Sequence, residues 1–252
     1  MKRVFISAYG CEPNKGSEPG VGWNWALEIA KKNKVTVLTR KNNKRSIDDY
    51  LTHFPHSNLE FLYYDLPNGI TRLKKGQKRI QLYYTIWQVG AYRFAKKVFE
   101  NQKYDIVFAV TFGNMWLPTL MYKLPAEFIW GPLGGGEGVN LHLWNRLTKK
   151  QLVFEIVRAI NKKFPITNPW FFEACRHAKT LIIRTEDSLN CIPLKYREKC
   201  KMMIETGVSE ADCARVARIG IEKGTDFTIS GRLVGLKFVD IGIRAMKKVV
   251  VI

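Results

Sequence analysis

The sequence has no run of about 18 apolar residues, the length a membrane-crossing helix needs, so no transmembrane helix is expected. It is short of acid: 22 Asp and Glu stand against 41 Lys and Arg, for a net charge of +19. Such an excess attracts polyanions, whether nucleic acid, anionic lipid or phosphorylated substrates. Cysteine is sparse: Cys11, Cys175, Cys191, Cys200 and Cys213 are scattered, odd in number and free of any C-x-x-C spacing. Neither a disulfide framework nor a zinc site is therefore supported. The four histidines, His53, His56, His142 and His177, have no matched partner in the sequence and read as surface or core residues. There is no short-period repeat, no low-complexity tract and no G-x-G-x-x-G dinucleotide fingerprint. No signal-peptide pattern precedes the first strand, which predicts a cytoplasmic protein.

What is present is concentrated in the first thirty residues. A short apolar strand from Lys2 to Tyr9 runs into a glycine-rich stretch, Gly10 to Gly22, and this opens a helix from Trp23 to Lys32. Gly16, Gly20 and Gly22 are interleaved with Ser17, Glu18 and Pro19, and Pro19 is not expected in a helix interior. Glycine lets backbone approach a ligand, and a helix N-terminus offers free N–H groups to an anion. The unit is shaped to hold a phosphate or a polyhydroxyl ligand; the alternative is a tight turn with no ligand.

Further strands are expected at Lys34 to Thr39, Leu59 to Tyr64, Asp105 to Thr111, Glu127 to Trp130, Thr180 to Arg184 and Cys200 to Glu205. Between them, Ile80, Tyr84, Trp87, Ala91, Phe94 and Val98 follow a helical period, a short helix is expected near Leu117 to Tyr122, and helices are expected over 148–161 and 170–178. Apolar strands alternating with helices predict an α/β fold, a parallel Rossmann-like sheet covered on both faces. This domain is placed at residues 1–206. Residues 207–252 read as a linker and one strand and helix of a second, incomplete Rossmann-like domain, expected to be poorly stable by itself.

Gly131 to Gly138 carries five glycines in eight residues directly after a strand. In an open parallel sheet ligands bind beyond the carboxyl ends of the strands, so both glycine-rich segments belong on one edge. A third candidate is Arg232 with Lys237, two cations flanking a helix start and suited to a diphosphate. The alternative is a solvated basic pair.

Three segments, in order, resemble the family 4 GT-B glycosyltransferases, retaining enzymes of two Rossmann-like domains. Gly231 to Asp240 reads GRLVGLKFVD, similar to the G-R-x-x-x-x-K-G-x-D pattern that opens their second domain. Ser7 to Trp23 is similar to their first-domain loop, and Trp130 to Glu137 to their second glycine-rich loop. The resemblance covers the whole chain. It implies transfer of a sugar from a nucleotide-diphosphate donor to a glycan or lipid-linked acceptor, with retention, at the cytoplasmic face of a membrane. Arg232 and Lys237 would stabilise the donor diphosphate in place of a metal, so no metal and no cofactor beyond the nucleotide-sugar is implied. Gly16, Gly20, Gly22, Gly134, Gly135 and Gly136 would bring backbone close to ligand, and Glu18 and Glu137 would contact acceptor hydroxyls.

The chain departs from the family in places. The E-x7-E motif is absent, Phe238 stands where the family has glycine, and Phe108 to Gly113 contains no histidine. A non-catalytic remnant that binds acceptor or membrane is the second reading, and a basic nucleic-acid-binding module a third, without a recognised motif. An anionic membrane would meet the basic, aromatic stretch from Arg72 to Lys103, through Tyr83, Tyr84, Trp87, Tyr92 and Phe94. The simpler reading of that stretch is a core-facing helix.

Overall fold

A computed structural model describes residues 1–67, 69, 80–163, 168–207 and 239–249. The chain divides into two units, Met1–Glu137 with Asn161–Thr206, and Gly138–Ile160 with Gly207–Ile252.

The first unit holds a single open sheet of seven parallel strands: β1 (Arg3–Ser7), β2 (Lys34–Thr39), β3 (Leu59–Tyr63), β4 (Ile106–Ala109), β5 (Glu127–Leu133), β6 (Thr180–Ile183) and β7 (Cys200–Met202). Their order is β3-β2-β1-β4-β5-β6-β7. Phe5 of β1 lies between Thr36 of β2 and Val107 of β4, which sets the register at the centre. The strands are nearly continuous apolar runs because helices cover both faces. Successive side chains therefore enter opposite cores. Phe5, Val107 and Leu181 enter one; Val4, Ile6, Phe108 and Ile182 enter the other. The fold is thus the α/β, Rossmann-like class expected.

Among the described residues the helices are α1 (Ser17–Ala30), α2 (Lys44–His53), α3 (Ile80–Asn101), α4 (Lys149–Lys163), α5 (Pro169–His177), α6 (Glu186–Cys191) and α7 (Val239–Val249). α3 brings Tyr83, Tyr84, Trp87, Ala91 and Ala95 into the first core, and Trp87 is wholly buried. Burial of an aromatic of this size is worth about 3 kcal/mol. The aromatic face of α3 is thus largely packed against the sheet, in line with the core-facing reading, while Arg72, Lys74, Lys75, Lys78 and Arg79 lie outside the described residues. α1 supplies Val21, Trp23, Ala26 and Ala30 to the second core, and α2 supplies Ile47.

Four local expectations change. α1 begins at Ser17, earlier than expected, because Pro19 sits in its first turn, where the missing N–H has no intrahelical partner to lose. β5 runs on through Gly131 to Leu133 and takes up the first part of the second glycine-rich segment. Between Leu117 and Tyr122 the only helical turn described is a 3-10 turn at Met121–Lys123, since Pro118 disfavours helix at the residue before it. β7 ends at Met202 rather than Glu205.

In the second unit, a 3-10 segment at Leu141–Arg146 leads into α4, and α7 is the other described element. Arg146 and Asp240 approach to 3.7 Å. The strand expected within residues 207–252 lies outside the described residues.

Candidate ligand site at the switch of the sheet

From β1 the chain winds outward through β2 and β3, then returns to place β4 on the other side of β1. The crevice beyond the carboxyl ends of β1 and β4 is therefore the point where strand order reverses, the usual ligand position in such sheets. The segments that follow the two strands are tied together there. The Gly10 amide donates to Thr111 Oγ1 at 3.2 Å, and the Gly113 amide donates to Glu18 Oε1 at 3.0 Å.

The backbone around this crevice is unusual. Asn14, Ser17 and Phe112 have φ of 56°, 58° and 59°, in the left-handed region that disfavours residues with a Cβ. Each such residue costs on the order of 1 kcal/mol or more. Gly16, the N-cap of α1, is extended and receives no side-chain cap, and a Cβ added there would meet nothing within 4 Å. Gly20 and Gly22 lie inside the helix. A Cβ on Gly20 would stand 2.0 Å from the Lys15 carbonyl oxygen, and one on Gly22 would stand 2.1 Å from that of Gly10. These two glycines let α1 pack on its own approach loop; of the three, Gly16 alone has open space beside its α-carbon.

Glu18 is partly covered. Burial raises its pKa, the Gly113 and Phe112 amides and Arg184 pull it down, and Glu205 pushes it up, with a net rise. Beside it Tyr84 stacks on Phe112 at 4.5 Å, and Tyr9 stands edge-on to both rings. Burial and then the Glu18 charge raise the Tyr84 hydroxyl as well.

The second glycine-rich segment reaches the same edge after β5. The Gly134 amide donates to the Gly113 carbonyl at 2.5 Å, joining it to the loop after β4. Gly135 has φ of 103°, and its carbonyl accepts from Trp116 Nε1 at 2.8 Å. A Cβ on Gly134 would stand 1.7 Å from Arg184 Nη2, and one on Gly136 would stand 2.4 Å from the Asp187 carbonyl oxygen. Glu137 braces the loop. Its Oε1 accepts from Thr185 Oγ1 at 2.7 Å and Ser188 Oγ at 3.0 Å, and its Oε2 from the Gly135 amide at 2.7 Å. Burial alone would raise its pKa, but these hydrogen bonds outweigh it and lower it to about 2.

Three residues that sequence reasoning passed over complete the edge. Arg184, directly after β6, pairs with Glu205 at 2.6 Å, and Trp25 Nε1 donates to the Glu205 carbonyl at 3.1 Å. A charged residue ending an apolar strand was the available signal for both Arg184 and Glu205, although β7 stops at Met202 and Glu205 stands in the segment beyond it. Arg232 and Lys237 lie outside the described residues.

Compared with models of known protein families and with curated proteins, the chain matches none. The Rossmann-like order rests on the sheet itself.

Proposed function

We propose that this chain is of glycosyltransferase lineage: it binds a nucleotide-diphosphate sugar and a glycan or lipid-linked acceptor, and the transfer it serves retains anomeric configuration. The observation that carries the reading is the meeting of Ser7 to Trp23 and Trp130 to Glu137, two of the three motif segments, at one end of a parallel sheet. The Gly10–Thr111, Glu18–Gly113 and Gly134–Gly113 hydrogen bonds join them across its reversal point.

In this reading Glu18 contacts an acceptor hydroxyl. A carboxyl with raised proton affinity is a stronger proton acceptor than a free one, which suits it to orienting a sugar O–H. The exposed backbone at Gly16 opens the start of α1 to an anion or hydroxyl. Arg184 sets the position of the Gly134 backbone and leaves Glu137 to brace the loop. Arg232 and Lys237 meet the diphosphate, and their charge stabilises the leaving group as negative charge grows on it.

Calorimetric titration of the chain with UDP-, GDP- and ADP-sugars tests the proposal. Binding of one nucleotide class is expected, with Arg232→Ala and Lys237→Ala each weakening it about tenfold or more. Titration showing no heat with any of the three donors would sink it.

A further inference from the structure

α4 is turned inside out. Glu155, its only acidic residue, is 3% exposed, whereas Val153, Phe154, Val157 and Ile160 are 59%, 60%, 50% and 52% exposed. At 3.6 residues per turn, Val153, Ile156, Val157 and Ile160 form one arc with Phe154 at its margin, and Glu155 points to the opposite side. The polar contacts hold the helix in that rotation. Glu155 Oε2 accepts from the Val139 amide at 3.0 Å and its Oε1 from Arg158 Nη1 at 2.7 Å, while Trp144 Nε1 donates to the Val139 carbonyl at 2.9 Å.

The charge around the apolar arc has one sign. Lys149 and Lys150 are exposed one turn before Val153 and Phe154, and the helix shows no acid to solvent. A second copy of the chain would bring the same cations face to face across a two-fold interface. Nucleic acid rewards the lysines but not the exposure of aliphatic side chains between them. A bilayer with anionic headgroups rewards both: acyl chains take the arc and phosphates take the ammonium groups.

We propose that α4 is an interfacial anchor that lays its Val153–Ile160 face on an anionic lipid surface, with Lys149 and Lys150 on the headgroup phosphates. This assigns membrane contact to a helix other than the aromatic stretch from Arg72 to Lys103, and it stands apart from the transferase reading.

Flotation of the whole chain with phosphatidylcholine vesicles, and with vesicles that also contain phosphatidylglycerol, tests it. Binding to the anionic vesicles alone is expected. The double variant F154S/V157S should weaken it about tenfold by removing buried apolar groups. The variant K149E/K150E should weaken it by about twentyfold or more, at roughly fivefold per charge removed. All four side chains are exposed, so thermal melting of the variants should match that of the parent. Equal flotation of parent and F154S/V157S overturns the proposal, as does failure of the parent to float with anionic vesicles. Self-association on gel filtration that F154S/V157S abolishes assigns the face to a second copy and overturns it as well. Duplex DNA binding that F154S/V157S leaves intact, without vesicle binding, does so in favour of nucleic acid.

Discussion

Glu18 and Gly113 are joined by a hydrogen bond of 3.0 Å from the Gly113 amide to Oε1 of the carboxylate. The bond links the first turn of α1 to the loop after β4, at the point where strand order reverses. A partly covered carboxylate in that position gains an amide partner and still holds its proton more tightly than a free one.

Replacing it should therefore stabilise the protein. The native pKa of Glu18 lies above its ordinary value of 4.5, so at neutral pH the charged form weighs against the folded state. As pH falls through the raised value towards 4.5, the native chain takes up the proton and this penalty disappears. Glu18→Gln should raise Tm at pH 7 by about 2–4 °C, corresponding to on the order of 1 kcal/mol, and the gain should fade as the solution is acidified. Differential scanning calorimetry across that range decides it; a gain that grows towards pH 4.5 would show the sign to be wrong.

Glu137 predicts the opposite. Its native pKa is about 2 against an ordinary 4.5, so its contribution is complete above 4.5 and is lost as pH falls from there towards 2. Because the carboxylate is partly exposed, solvent screening reduces that contribution to about 1–2 kcal/mol. Glu137→Gln should lower stability by this amount at pH 7 and flatten the acid limb of the stability curve between 4.5 and 2. Urea denaturation at pH 7 and pH 3 compares the two proteins directly. An unchanged acid limb in the variant would mean that the brace contributes nothing.

Gly22 offers a test of packing. An added Cβ would lie 2.1 Å from the Gly10 carbonyl oxygen and 2.9 Å from Thr111 Cγ2, and backbone cannot swing aside as a side chain does. Gly22→Ala should destabilise by about 3 kcal/mol or more, although alanine ordinarily favours helix over glycine by about 1 kcal/mol. Gly16→Ala, with open space at its α-carbon, should cost only about 1 kcal/mol, the ordinary loss when alanine takes an N-cap. Chemical denaturation of the two variants together separates close approach from helix propensity.

The strands were legible because burial on both faces writes them as apolar runs: β2 spans Lys34–Thr39 as expected, and β3 falls one residue short of its expectation. α3 was legible from its period, which Tyr84, Trp87 and Ala91 keep because they face the core. α2 was not, since Ile47 is its only buried residue and polar or charged groups fill most of the rest. The site was half visible. Glycines announce themselves in a sequence, but their partners do not: Gly22 answers to Gly10, Gly134 to Arg184, and the Arg184–Glu205 pair joins the segments that follow two separate strands. Such pairings arise from sheet order, which no local pattern contains.

The carbonyls opposite Gly20 and Gly22 have an evolutionary corollary. A descendant that had lost every ligand would still be obliged to keep both glycines, because its first helix could not otherwise seat against Lys15 and Gly10. Persistence of that part of the motif therefore records ancestry of architecture. Gly16, which no neighbour crowds, is the position of the three where packing leaves most freedom to change.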